Sequence, residues 1–249
     1  MDNTLYVGLS RQLTLQRAID VTANNLANVD TTGFKVESLM VKTDPATPAS
    51  ASATDPINYV IDNGVARNFG QGGVEQTGNP TDVAIAGEGF FTVQTADGPR
   101  YTRDGSFTLS PQSQLTNSAG DPVLSTGGSP ITVDPTKPSF NISKDGTVSQ
   151  TDPVTASVTV LGKIGVSRFP DQSVLTKQGA NLYDAPGVTP TPATNARVVQ
   201  GAVERSNVEP VVEITHLIAI QRAYEQVSQM ISATQDLSDS AVQRLGKAA

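Results

Sequence analysis

Apolar residues recur with a helical period only at the two ends of this chain, and between the ends the pattern changes to short alternating runs broken by glycine. The first stripe carries Leu5, Leu9, Leu15, Ile19, Ala23 and Leu26, spaced by three or four in most pairs, which places them on one helical face. Arg11, Gln12, Gln16 and Asp20 are expected on the opposite side. Asn3 or Thr4 suits the start of this helix as a cap, and it is predicted to stop before Thr31-Thr32-Gly33. Gly33 can take the positive φ of a reversing turn, leaving Phe34 to anchor the departing chain.

At the other end, Leu217, Tyr224 and Ile231 recur every seven residues toward Leu245, with Ser238 as the polar exception. Ile220, Val227, Thr234 and Ala241 interleave with them, which is the spacing of a heptad seam, and Met230 with Leu237 widens it on one side. A helix of about 30 residues is roughly 45 Å long, longer than a small domain is wide. Two terminal helices with this much apolar surface are expected to assemble with other molecules. The alternative is a pair of helices that cover only one another.

Between these stripes the turn chemistry dominates. Asn63-Gly64 lies between Asn58-Tyr59-Val60-Ile61 and Val65-Ala66-Arg67 and predicts a β-hairpin turn. Asp97-Gly98, Asp104-Gly105 and Asp145-Gly146 repeat that chemistry around Phe90-Phe91-Thr92-Val93, Ser106-Phe107-Thr108-Leu109 and Ser157-Val158-Thr159-Val160, which read as half-buried strands. Short strands at such intervals favour an antiparallel sheet or a small barrel. Residues Asp44 to Pro56 and Pro186 to Asn195 have linker composition.

The expected architecture is α+β: long N- and C-terminal helices pair as a coiled-coil-like module, and a mainly antiparallel β domain is inserted between them. The expected divisions are an N-terminal helix and turn over residues 1–43, a linker or hairpin extension over 44–69, a β domain over 70–200 and the C-terminal helix over 201–249.

Composition removes several function classes. With 17 basic and 24 acidic residues the net charge is −7, and no basic cluster exists to neutralise several phosphates, so nucleic acid is not an expected partner. No run of 18 apolar residues is present, and membrane insertion is not expected either. The N-terminus lacks the charged and apolar regions of a cleaved secretory signal. There is no cysteine, which excludes disulfides and cysteine-based metal sites, and the one histidine, His216, falls on the C-terminal helix as a surface residue.

Gly87-Glu88-Gly89 and Gly70-Gln71-Gly72-Gly73 lack the spacing of a phosphate-binding loop. Asp82, Glu88, Asp97 and Asp104 are candidates for the paired carboxylates of a glycoside hydrolase. Two of them precede glycine in turns, where aspartate serves the backbone, and the tryptophan that a sugar site usually brings is missing. No enzyme activity, cofactor or metal is expected.

Three stretches resemble one family. Ala23-Asn24-Asn25-Leu26-Ala27-Asn28, followed by Thr31-Thr32-Gly33-Phe34-Lys35, is similar to the N-terminal signature of the bacterial flagellar axial proteins, the rod, hook and hook-associated subunits. Asp82 to Phe91, continuing through Arg100-Tyr101-Thr102-Arg103-Asp104-Gly105-Ser106-Phe107, resembles their central β segment. Ser206-Asn207-Val208-Glu209-Pro210 with Gln221-Arg222-Ala223-Tyr224-Glu225 resembles their C-terminal helix. The opening Met1 to Ser10 is closer to proximal than to distal rod members, whereas Asp44 to Asn68 departs from the pattern.

The resemblance implies a structural subunit of the proximal rod in the basal body, exported by the flagellar type III apparatus. Its implied partners are other rod subunits, copies of itself and, transiently, the export apparatus. The alternatives are a distal rod or hook-family subunit, or a secreted β-domain binding module. The implied assembly surface comprises Leu5, Leu9, Leu15, Ile19, Asn24, Asn25, Leu26, Asn28 and Phe34, together with Leu217, Ile220, Tyr224, Val227 and Ile231. The three asparagines are candidates for amide bridges between subunits, with local capping and turn formation as the alternative use.

Overall fold

A computed structural model describes residues 2–46, 57–137 and 139–247. Helix α1 spans Asp2–Ala27 and α2 spans Pro210–Lys247. The strands between them are β1 (Glu37–Ala46), β2 (Ile57–Arg67), β3 (Val74–Gln76), β4 (Val83–Ala86), β5 (Phe90–Thr95), β6 (Gly98–Thr102), β7 (Thr108–Leu109) and β8 (Leu115–Thr116). They continue as β9 (Phe140–Ile142), β10 (Thr147–Thr151), β11 (Val158–Lys163), β12 (Val166–Arg168), β13 (Thr176–Gly179), β14 (Leu182–Asp184), β15 (Thr191–Pro192), β16 (Arg197–Gln200) and β17 (Ala202–Glu204). Every strand pairing among the described residues is antiparallel, so the class is α+β, with a helix at each end and a mostly antiparallel β domain.

The chain divides into two compact units. One comprises Met1–Ala27, Glu37–Asn68 and Glu209–Ala249, and the other comprises Asn28–Val36 and Phe69–Val208. The turn after α1, expected to go with the helix, therefore belongs to the β unit. The hairpin of β1 and β2, expected as an extension, belongs to the helical unit, where Thr14 donates its hydroxyl to the Val60 carbonyl at 3.3 Å.

The β unit is built on a six-stranded sheet in the order β13-β14-β6-β5-β12-β15, accompanied by a three-stranded sheet, β11-β10-β9, and by short pairs. Successive side chains of a strand point to opposite faces, so the adjacent Phe90 and Phe91 of β5 enter different cores. Phe91 packs with Val83, Ile85, Phe107, Leu115 and Ile131, and meets Phe107 edge-on at 5.1 Å. Phe90 packs with Tyr101, Phe169, Leu175 and Tyr183. Strand β5, read as half-buried, is thus covered on both faces. Two turn predictions hold: Gly98 opens β6 with a φ of 108° directly after the β5 turn, and Asp145-Gly146 joins β9 to β10.

Three local readings are corrected. Asn63-Gly64 does not reverse the chain, because β2 runs straight through it and pairs with β1. Asp62 pairs with Val41 and Val65 with Leu39, so two residues oppose the single Met40. This is a β-bulge, which uses the same positive φ as a turn: Gly64 has a φ of 103°, and its N–H donates to the Asp62 carboxylate at 2.7 Å. Of the first linker, residues 44–46 are strand, and 47–56 lie outside the described residues. Within the second, Thr191–Pro192 forms β15, an edge position where proline's missing N–H does no harm.

Candidate functional site

In the helical unit, α1 and α2 lie side by side along a seam, and both helices leave apolar side chains uncovered. On α2 the heptad positions Leu217, Ile220, Tyr224, Val227, Ile231, Thr234 and Ser238 are all half-buried, as are Ala223 and Ser228 beside them. The continuation through Ala241 and Leu245 lies outside the side chains described. On α1 the fully covered positions are Gly8, Thr14, Leu15, Val21, Thr22 and Asn25. Leu15 is the only member of the predicted leucine stripe among them; Leu5, Ile19 and Leu26 are half-buried, and Leu9 is exposed.

The covered positions of α1 face α2 at Gly8, β2 at Thr14 and the start of β1 at Asn25. A Cβ at Gly8 would lie 3.0 Å from the Ile231 Cγ1, a tight contact that α2 could meet only by giving way a few tenths of an ångström. Gln12, expected to face outward, instead donates its amide to the Tyr224 hydroxyl at 3.0 Å. Asn25 is 1% exposed, and its amide is fully used within the chain. It donates to the Glu37 carbonyl at 2.7 Å and to the Glu213 carboxylate at 3.1 Å, and it accepts from the Glu37 N–H at 2.9 Å. It therefore anchors the start of β1 beside the first turn of α2.

What remains uncovered forms further stripes. Tyr6, Leu9 and Leu13 stand exposed on α1 at helical spacing, with Leu13 64% exposed. On α2, Val211, Ile214 and Ile218 follow one line, and Met230 and Leu237 lie seven residues apart on another. At about 100° per residue these two lines flank the seam on opposite sides. Val211 is 77% exposed and Leu237 69%. His216 is exposed on α2, as expected.

The turn signature is a structural feature of the β unit. Gly33 adopts a φ of 67° and donates its N–H to the Glu204 carbonyl at 2.7 Å. Any other residue would drive a Cβ to 2.4 Å from the Arg103 backbone. Phe34 is buried and lies beneath the Lys177 ammonium, 4.5 Å from the ring centroid. Asn28 accepts from the Thr31 hydroxyl at 3.1 Å, a local turn contact, while Asn24 is exposed on α1.

Lys35 is buried, and its ammonium pairs with the equally buried Glu204 carboxylate and donates to the Gly70 carbonyl at 2.8 Å. Arg103 binds the second Glu204 oxygen at 3.0 Å, donates to the Gly87 carbonyl and lies over the Phe90 ring. The Gly72 N–H completes the shell of Glu204 at 2.9 Å. Burial pushes the Lys35 ammonium below its ordinary value; the Glu204 charge and hydrogen bond oppose this, and Arg103 reinforces it.

Sequence reasoning missed this cluster. Lys35 and Arg103 stand inside the quoted motifs, yet nothing in their spacing marks a charge as buried. Three of the four carboxylates weighed as catalytic are engaged in separate contacts. Asp82 accepts from Thr77 and Asn79, Asp104 from Thr32 and Ser106, and Glu88 pairs with Arg168.

Three family models match the chain in order. Flagella basal body rod protein covers residues 5–35, the flagellar hook protein FlgE/F/G D1 domain covers 84–150, and the flagellar basal body rod FlgEFG protein C-terminal region covers 199–244. The chain is 52% identical to the flagellar basal-body rod protein FlgF of Caulobacter vibrioides, with 99% of each chain covered. It is 34% identical to FlgF of Mesorhizobium japonicum, again over 99% of each. It is 36% identical to FlgG of Buchnera aphidicola subsp. Schizaphis graminum, over 92% of this chain and 93% of that one. These full-length relatives are structural components of the basal body, and with both helical ends and the β unit matched the chain belongs to the flagellar basal-body rod protein family.

Proposed function

We propose that this rod-family chain is a proximal-rod subunit, exported through the flagellar type III apparatus and polymerised through its terminal helices. Its neighbours in this reading are other rod subunits and further copies of itself. The observation that carries the reading is the apolar surface of α1 and α2 left over after the two helices have paired. Open filaments need unlike surfaces on one subunit, and the two lines flanking the α2 seam supply them. The heptad spacing of the half-buried α2 positions supports a coiled-coil-like pairing of the helices.

In this reading Leu5, Leu9, Leu26 and the outer lines of α2 meet neighbours. Leu15, Asn25 and Phe34 hold the elements that present them. A distal-rod role draws on the FlgG relatives, but the 52% relative is a FlgF protein.

The test is complementation of a strain lacking this protein with Ile218→Asp, Leu237→Asp or both. The chains are expected to be exported but absent from purified basal bodies, with motility lost. Full motility of the double variant would remove the helices from the interface.

A further inference from the structure

The β unit carries a groove of about 670 Å³ that no role in helical assembly uses. Its accessible floor is apolar, formed by Val166, Pro192, Ala193 and Ala196, with Ile164 and Val198 fully buried behind them. Its rim is basic, formed by Lys144, Lys163 and Arg197. The one carboxylate at the rim, Asp145, accepts from the Ser143 hydroxyl at 2.6 Å and the Thr147 hydroxyl at 2.8 Å, and pairs with Lys163 at 3.5 Å. Hydrogen bonds from Ser143 and Thr147 hold that carboxyl well below the ordinary range, so it stays an anion committed to its turn. Lys144 and Arg197 join no ion pair among the described residues. Three cations against one carboxylate make this rim locally positive on a chain whose net charge is −7.

The chemistry of the lining narrows the occupant. A volume of this size lies within the range of about 300–1,000 Å³ typical of small-ligand sites. No aromatic side chain lines the groove, so neither a sugar ring nor a nucleobase finds a face to stack on. An apolar floor under a cationic rim matches alternating apolar and acidic side chains. One wall is the segment from Pro192 to Ala196, which a second hollow of about 290 Å³ shares, so the trough extends along the strand edge of β15. We propose that this groove is a docking site for an extended acidic peptide segment of a partner protein, with its carboxylates on Lys144 and Arg197 and its apolar side chains against Val166, Pro192 and Ala193. The site lies wholly within the β unit and is independent of the helical-assembly reading: Ile218→Asp leaves it intact.

The experiment titrates the full chain with the acetylated, amidated peptide Asp-Val-Glu-Val-Asp, following amide shifts by NMR. Shifts are expected to centre on Val166, Ala193 and Ala196. Lys144→Glu with Arg197→Glu is expected to weaken binding by about tenfold or more, and the Gln pair by less. These exposed cations hold no ion pair, and unchanged thermal unfolding of the Gln pair keeps the result interpretable. Saturable binding that falls when both valines are replaced by glycine supports the proposal. Absence of binding, shifts centred elsewhere, or equal binding by the glycine peptide and by dextran sulfate overturns it.

Discussion

The two units of this chain handle apolar surface in opposite ways. The β unit closes its own cores, with Phe90, Phe91, Phe107 and Phe169 all buried and packed edge to face. Among the described residues of the helical unit, Leu15 and Val21 are the buried apolar side chains, and the other covered positions are small or polar: Gly8, Thr14, Thr22, Asn25 and Glu213. At about 25 cal/mol per Å² of apolar surface removed from water, the β unit is stabilised by its own packing. The helical unit leaves Tyr6, Leu13, Val211, Ile218 and Leu237 in solvent and draws no such gain from them.

Replacing Glu204 probes the self-sufficient unit hardest. Glu204→Ala leaves Lys35 and Arg103 as uncompensated buried cations and is expected to cost about 3–5 kcal/mol. Urea unfolding followed by circular dichroism reads this directly, and a loss below about 1 kcal/mol would mean that water reaches the cluster. Asn25→Ala strikes the helical unit by stranding Glu213 and the Glu37 backbone, at about 1–3 kcal/mol. Hydrogen exchange should then rise in α1 and β1 while β5 stays protected.

Acid titration separates the units more gently. In the β unit, hydrogen bonds from Ser143 and Thr147 lower the Asp145 carboxyl, those from Thr136 lower Asp134, the Val154 and Thr155 N–H groups lower Asp152, and Ser173 lowers Asp171. A carboxyl lowered in the folded state contributes stability above its ordinary value of 3.8, and that contribution is lost as pH falls from there through the folded value. Unfolding of the β unit should therefore ease below pH 3.8, and Asp145→Asn should flatten that acid limb. Lys35 acts with the same slope in alkali, since a lowered ammonium favours the folded state as pH rises toward 10.5. Tyr101, raised chiefly by burial, reverses the slope above its ordinary 10.0.

The smallest effect on folding is expected at the exposed helix face. Ile218→Asp should change stability by about 0.5 kcal/mol or less, because the side chain is 45% exposed. A large stability loss there would erase the contrast between the two units, and an intact unfolding midpoint with lost incorporation would sharpen it.

Period and turn chemistry made much of the architecture legible. The limits of both helices, the heptad positions of α2 and strand β5 follow from spacing that a backbone of fixed pitch must obey. Gly98 and Gly146 were legible as turns, but at Gly64 only the need for a positive φ was legible. Gly64 meets the same requirement in a bulge, since both conformations place glycine where a Cβ would strain the backbone. On α1 the leucine stripe named the helix correctly but not its covered face. Glycine at the helix contact, Gly8 against Ile231, and a threonine turned to β2, Thr14 against Val60, are positions that no hydrophobic pattern registers.

Sequence alone thus determined the helices at each end, the antiparallel class of the middle and, through ordered motifs, the family. Tertiary structure decided which faces of those helices are consumed within the chain, and that the turn before Lys35 belongs to the β unit. It also made Lys35, Arg103 and Glu204 a single buried cluster. The physical reason is range: a period is set by neighbours along the chain, whereas burial of a charge depends on partners that only folding brings within hydrogen-bond distance.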